Sequence, residues 1–197
     1  MVLMARILVI SGTPGVGKSS IAKALAPTIH AEVLTIGELV AARHLFETWD
    51  EDRSTHVVDE ERAREALRNE IERARVRNDI EWFVIEGLMA DVVADECDLA
   101  IVLRLDPRIV KTRLQQRGYG PAKVAENVQS ELLGTCTYHM REARGNDFLD
   151  LDTTGKSVAE IAGIIHRIVQ GLENKATYRP GLVDWIARPD IDPAGFF

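Results

Sequence analysis

Between residues 12 and 19 the chain reads GTPGVGKS, a glycine-rich turn that ends in lysine and serine. Every residue type here has a task if the stretch wraps a string of phosphates. Glycines let the backbone turn so that successive N–H groups point inward at phosphate oxygens. A helix beginning near Gly17 adds the positive end of its dipole. Lys18 can reach the β and γ phosphates, and the Ser19 hydroxyl can ligate Mg2+. The pattern GxxxxGK[ST] of the phosphate-binding loop is matched in full, which points to a bound triphosphate. It leaves the acceptor open. Kinases with such a loop pass the phosphoryl group to a second small molecule, whereas ATPases and GTPases pass it to water.

A bound metal also needs an acid at a strand end. The stretch V84-I-E-G87 puts Glu86 at the carboxyl end of a buried strand, where ligands sit in open α/β sheets. The plainer reading is a polar residue that ends a strand. Asp98 and Asp106 are secondary candidates. Phosphoryl transfer further needs positive charge around the moving group. Arg113 and Arg117 are four apart on one helix face, just before G118-Y-G-P121, a break able to act as a hinge. They read as lid arginines closing over a triphosphate, or as a solvated basic face. Gly37 and Arg43 are candidates for the pocket of a second nucleotide, against the alternative of a surface helix. The five histidines show no metal-ligand spacing, and His56, beside an acidic loop, stays open. Asp59 reads as a helix cap, with Glu60 and Glu61 favouring the dipole of the first turn.

These residues need a frame. R6-ILVIS11 is apolar without alternation, as in a strand buried on both faces. Further strands are expected at 31–36, 82–85, 99–104 and 148–151, with a short extended piece at 55–58. Helices are expected from Ser19 to Ala26, closed off by Pro27, then from Gly37 to Arg43 and from Asp59 to about Arg77. Others follow from Asp106, from about Ala122 to Ala143 as one long helix, and from Ser157 to about Glu173. The segment D50-E-D-R-S54 reads as a surface loop. Strands alternating with helices predict a parallel sheet covered on both faces, and five strands fit one doubly wound α/β domain.

The 197 residues are 46% hydrophobic, enough for one sizeable core. A formal net charge of -7 argues against non-specific coating of nucleic acid. Two cysteines without paired spacing point to a reducing, cytoplasmic setting. No apolar run reaches the roughly 20 residues of a membrane span, and the first residues read as a strand rather than a signal peptide. Beyond Asn174 the composition changes, with Pro180, Gly181, Pro189, Pro193 and Gly195 interleaved with Tyr178, Trp185, Phe196 and Phe197. That tail either docks its aromatics onto the core or a partner, or extends loosely.

Several stretches together resemble the atypical adenylate kinases of the nuclear isoenzyme-six type and their archaeal relatives. They are G12-TPGVGKSS20, T35-IGEL39, W49-DED52, V57-VDEER62, I101-VLRLD106, R113-LQQRGY119 and K123-VAENVQSE131. The "RGY…K…EN…E" pattern is the most specific of them, and it argues against another small-molecule kinase such as a cytidylate or shikimate kinase. The resemblance covers roughly residues 5 to 173. It implies a P-loop kinase domain over 1–173, with a five-stranded parallel sheet in the order 2-3-1-4-5, and an extension over 174–197. It implies an NMP-binding region at about 35–58 and a short lid at about 116–126. Gly15, Gly17, Lys18, Ser19 and Ser20 would bind ATP, Arg117 would touch it from the lid, and Lys156 would lie near the adenine. Ser19 and Glu86 would hold Mg2+. The activity implied is ATP + AMP to 2 ADP, alongside an ATPase role in small-subunit ribosome assembly with a ribosomal protein and its rRNA as partners. One departure stands out. Leu88 occupies the place, two residues beyond the strand-end acid, where the family carries a histidine linked to ATP hydrolysis. The acid itself is Glu86, where many members have Asp.

Overall fold

The structure is a computed structural model that describes residues 4–50 and 55–196. In chain order the strands are β1 (Arg6–Ser11), β2 (Ala31–Thr35), β3 (Phe46–Asp50), β4 (Thr55–Val58), β5 (Trp82–Glu86), β6 (Leu99–Arg104) and β7 (Leu149–Asp152). The helices are α1 (Lys18–Leu25), α2 (Ile36–Arg43), α3 (Glu60–Arg75), α4 (Pro107–Gln116), α5 (Pro121–Leu133), α6 (Thr135–Arg144) and α7 (Val158–Val169). Five strands form one parallel sheet in the order β2-β5-β1-β6-β7. Counted within the sheet alone this is 2-3-1-4-5, the expected order.

The unbroken apolar character of β1 has a direct cause in the layers around it. Successive strand side chains point to opposite faces. Leu8 and Ile10 pack against α1, α4, α5 and α7, while Ile7 and Val9 pack against α2, α3 and α6. Both faces are therefore dry, and beyond the exposed Arg6 at its start the central strand is buried throughout. Its two neighbours deliver the residues that matter. Ile10 is paired with Glu86 of β5, and Ser11 with Val102 of β6.

The cap expected at Asp59 is present, its carboxylate accepting from the Arg62 N–H at 3.0 Å. The expected NMP-binding region comprises α2 and an antiparallel hairpin of β3 and β4. The acidic loop at 51–54 lies outside the described residues, and so does the side chain of His56.

One expectation needs correction. The single helix read from about Ala122 to Ala143 is two, broken at Gly134, whose φ of 69° closes α5 and opens α6. A Cβ at Gly134 would come within 3.3 Å of the Arg104 guanidinium. That guanidinium donates to the carbonyl of Glu131 at 2.8 Å, satisfying a last-turn carbonyl of α5. Helix-forming residues on both sides hid a break that a tertiary contact imposes.

The tail docks onto the core. Trp185 is 1% exposed and packs with Leu132 and Ile191. Among the described residues no helix is long and apolar enough to cross a membrane.

The tightest backbone approach lies where β1 leaves the sheet. Gly12 has φ of 145°, and a Cβ there would sit 2.6 Å from the Leu103 carbonyl oxygen of β6. Gly12→Ala should therefore destabilise the protein by roughly 2–4 kcal/mol, combining backbone strain with overpacking against rigid backbone. Urea unfolding of the variant beside wild type measures this, and an unchanged midpoint would contradict it.

Candidate active site

The loop joining β1 to α1 turns through three glycines of positive φ, at 145° for Gly12, 96° for Gly15 and 110° for Gly17. It empties directly onto the N-terminus of α1, whose dipole favours an anion. Lys18, the first residue of α1, folds back under the loop. Its Nζ donates to the Gly12 carbonyl at 2.6 Å and the Thr13 carbonyl at 3.2 Å. Burial pushes the ammonium pKa down, and the Arg117 charge adds to that, while Cys136, Glu86 and Glu131 push the other way. The ammonium thus waits on two neutral carbonyls in a poorly solvated place, where phosphate oxygens would be better partners.

Ser19 faces the end of β5. Its Oγ donates to Glu86 Oε1 at 2.8 Å, and Glu86 is 1% exposed. The pair of a hydroxyl and a carboxylate suits Mg2+, which takes one or two protein oxygens and fills its remaining positions with water and phosphate. No cluster of three His, Cys, Asp or Glu that could hold a metal occurs among the described residues. A site that depends on substrate oxygens needs none. Ser20 follows, exposed, on the first turn of α1.

The lid arginines come from α4. Arg113 Nη1 donates to the Gly15 carbonyl at 3.0 Å, so this side chain already lies on the loop. Arg117 caps the C-terminus of α4 and is exposed, with its charge felt at Lys18. The turn at Gly118, with φ of 76°, then leads into α5.

The other sequence candidates divide. Asp98 lies at the opposite end of the sheet, where its Oδ2 accepts from the Ile7 N–H at 2.7 Å, so it is structural and not a metal ligand. Asp106 caps α4, accepting from the Arg108 N–H at 2.8 Å, and is paired with the Arg108 side chain. The Arg108 guanidinium holds its carboxyl below the ordinary value, and Asp106 too does structural work. Gly37 lies exposed in the first turn of α2, and Arg43 is tied to Glu70 of α3. Lys156 is exposed in the loop after β7, donating to the Asp152 carbonyl at 2.9 Å. Among the described residues no hydrogen bond or ion pair joins Gly37, Arg43 or Lys156 to the phosphate loop.

Sequence reasoning gave no role to Thr13 and Glu131. Thr13 Oγ1 donates to Glu131 Oε2 at 2.7 Å, beneath the loop, with the Cys136 thiol 4.0 Å away. Burial pushes that thiol pKa up to about 11, leaving it protonated near neutrality. A signal for Glu131 existed. It lies three and seven residues after Val128 and Val124, on the buried face of α5.

A cleft of about 720 Å3 is lined in part by Val57, Val58, Arg64, Leu88, Asp91 and His139. Leu88 is 50% exposed there, and its carbonyl accepts from Ser11 Oγ at 3.2 Å. The cleft also reaches Cys136, which connects it to Thr13.

A glycine loop between a buried parallel strand and a helix, with lysine beneath it and a strand-end carboxylate on its serine, defines a P-loop nucleotide kinase fold. Solved structures agree on the fold. A shikimate kinase from Acinetobacter baumannii superposes with a TM-score of 0.62 at 16% identity, covering 88% of this chain and 97% of that one. A thymidylate kinase from Candida albicans gives 0.56 at 12% identity, covering 85% and 92%. A family model described as an AAA domain matches residues 8–134. A Methanocaldococcus jannaschii protein named "Putative adenylate kinase" is 34% identical over 178 residues, 90% of this chain and 92% of the relative. A Sulfurisphaera tokodaii protein of the same name is 35% identical, covering 94% and 88%. The chain belongs to this adenylate kinase-like family of nucleotide kinases.

The state of Lys18 yields a prediction. Phosphate oxygens should raise its depressed pKa, so the complex binds more protons than the free protein. ATP affinity should be full below the free-state pKa of Lys18, decline as pH rises from there through the higher pKa of the complex, and level off above it. Titration of the protein with ATP across the alkaline range checks this, and Lys18→Arg, which does not titrate there, should show a flat profile.

Proposed function

We propose that the protein is an adenylate kinase, transferring the γ-phosphoryl group of ATP to AMP to give two ADP. The observation that carries this reading is the cleft of about 720 Å3, which is walled by Val57 and Val58 from the 35–58 region and reaches Leu88, whose carbonyl accepts from Ser11, and Cys136, whose thiol lies 4.0 Å from Thr13 Oγ1. Its size falls within the range of small-ligand sites. A plain ATPase has no need of a second pocket of that size beside its triphosphate.

The contacts of the loop support the following roles for its own residues and for the lid arginines. Lys18 exchanges the carbonyls of Gly12 and Thr13 for β and γ phosphate oxygens. Arg113, already on the loop, and Arg117, at the lid hinge, surround the γ-phosphoryl group with positive charge. An oxygen of the AMP phosphate attacks the γ phosphorus, the bond from that phosphorus to the β-bridging oxygen breaks, and ADP leaves on each side. Mg2+ held by Ser19 and Glu86 would neutralise charge on the β and γ phosphates. Gly15, Gly17 and Ser20 complete the ATP contacts, and the family resemblance assigns Lys156 to the adenine side. Gly37 and Arg43 serve the AMP side, Arg43 by leaving Glu70 when AMP arrives.

A role in small-subunit ribosome assembly rests on the family resemblance alone. It requires ATP-dependent association with a basic small-subunit ribosomal protein, for which the net charge of -7 is suitable.

A coupled assay should detect AMP-dependent ADP formation, and Lys18→Ala should abolish it. No ADP above the AMP-free rate at millimolar AMP would sink the AMP reading. Leu88→His should raise ATP hydrolysis without AMP, and an unchanged rate would show that hydrolysis does not depend on this position.

A further inference from the structure

A chain of buried polar groups runs from the phosphate loop to the C-terminal tail. Glu131, Arg104 and Asp150 are each 2% exposed or less. Glu131 accepts from Thr13 Oγ1 at 2.7 Å, Arg104 Nε at 2.8 Å and the Leu105 N–H at 3.1 Å. Arg104 also donates to Thr137 Oγ1 at 3.2 Å, and Thr137 donates to Asp150 at 2.9 Å.

The tail adds further partners to this network. Trp185 Nε1 donates to Glu131 Oε1 at 2.9 Å. The Val183 carbonyl accepts from Arg104 at 3.2 Å, and the Gly181 N–H donates to Asp150 Oδ2 at 3.0 Å. All three network charges therefore take a tail partner. A buried charge left short of a partner is costly, so undocking the tail would force water in or move the charges. The carboxylate that would move is the one gripping Thr13, whose own carbonyl holds Lys18.

We infer that Glu131 and Trp185 are positioning residues of the ATP site, and that docking of residues 181–191 sets ATP affinity through Thr13. The inference rests on the ATP-binding part of the proposed function and not on AMP as acceptor. Tail docking and ATP binding are then linked, and the linkage is reciprocal. Whatever tail docking adds to ATP affinity, ATP must add to tail docking.

The test uses the full chain. Trp185→Phe keeps an aromatic ring in the pocket while removing the N–H donor together with part of the indole. Calorimetric titration of the folded protein with a non-hydrolysable ATP analogue and Mg2+ should give about tenfold weaker binding, the loss of one hydrogen bond to a charged acceptor. Ile186→Ala, a change at an exposed tail residue, should bind as wild type does. In wild type the analogue should slow amide hydrogen exchange across 181–191, and in Trp185→Phe this protection should shrink. A purely structural Trp185 would lower the melting temperature while leaving the affinity of folded protein within twofold of wild type. That result, or exchange at 181–191 indifferent to the analogue, overturns the inference. Intact analogue binding without AMP-dependent ADP formation would defeat AMP as acceptor and leave this inference standing. A wild-type chain that bound no ATP would defeat both.

Discussion

A loop that binds phosphate through backbone N–H groups must keep those groups available, and the rest of this structure follows from that constraint. Buried backbone donors normally find partners within the protein, and leaving them for a ligand is costly. Residues 12–17 are held instead largely through carbonyls and side chains. Lys18 takes the carbonyls of Gly12 and Thr13, and Arg113 takes that of Gly15. The Thr13 hydroxyl is held by Glu131, and Ser11, at the end of β1, is held by the Leu88 carbonyl. Each restraint comes from a different element, so the loop is fixed by the assembled domain rather than by its own sequence.

The sheet order makes this possible. With β1 between β5 and β6, the chain leaving β1 has the end of β5 on one side and the end of β6 on the other. The first neighbour brings Glu86 to Ser19, and the second brings the Leu103 carbonyl against Gly12 and carries Arg104 to Glu131. A strand order that separated these three would keep the motif and lose the site. The common rule that ligands sit at the carboxyl ends of open α/β sheets has here a local cause in the pairing of Ile10 with Glu86.

Much of this was legible in the sequence, for physical reasons that can be named. The P-loop was legible because backbone geometry demands particular residues at fixed spacing. The inner strands β1, β5 and β6 were legible because burial on both faces leaves mostly apolar runs, whereas the edge strands β2 and β7 carry Glu32, Asp150 and Asp152 among their apolar residues. Glu86 stood out as a charge ending such a run. What could not be read depended on contacts distant along the chain. The break at Gly134, beside the Arg104 guanidinium, was signalled only by the glycine itself, which the helix-forming residues on both sides outweighed. Asp98 and Asp106 resembled Glu86 as acids near strand ends. Only the register shows that Asp98 meets the first residues of β1 at the wrong end of the sheet. The docking of the tail was undetermined for the same reason, since its partners lie on β6, β7 and α5.

The buried pair of Arg104 and Glu131 is not explained by stability. Removing two charges from water costs about as much as their attraction returns, and apolar residues of similar volume would do as well or better. What an ion pair offers, and a hydrophobic contact does not, is direction. Glu131 has two oxygens, and each is committed: Oε1 to Arg104, Leu105 and Trp185, Oε2 to Thr13. A carboxylate with this many directional donors has one orientation available to it. The hydroxyl it accepts from is therefore held in place, along with the loop backbone that carries it. The cost is accepted directly beneath a glycine turn whose N–H groups must meet phosphate oxygens at hydrogen-bond distance, where a displacement of about 1 Å is enough to slow catalysis a hundredfold.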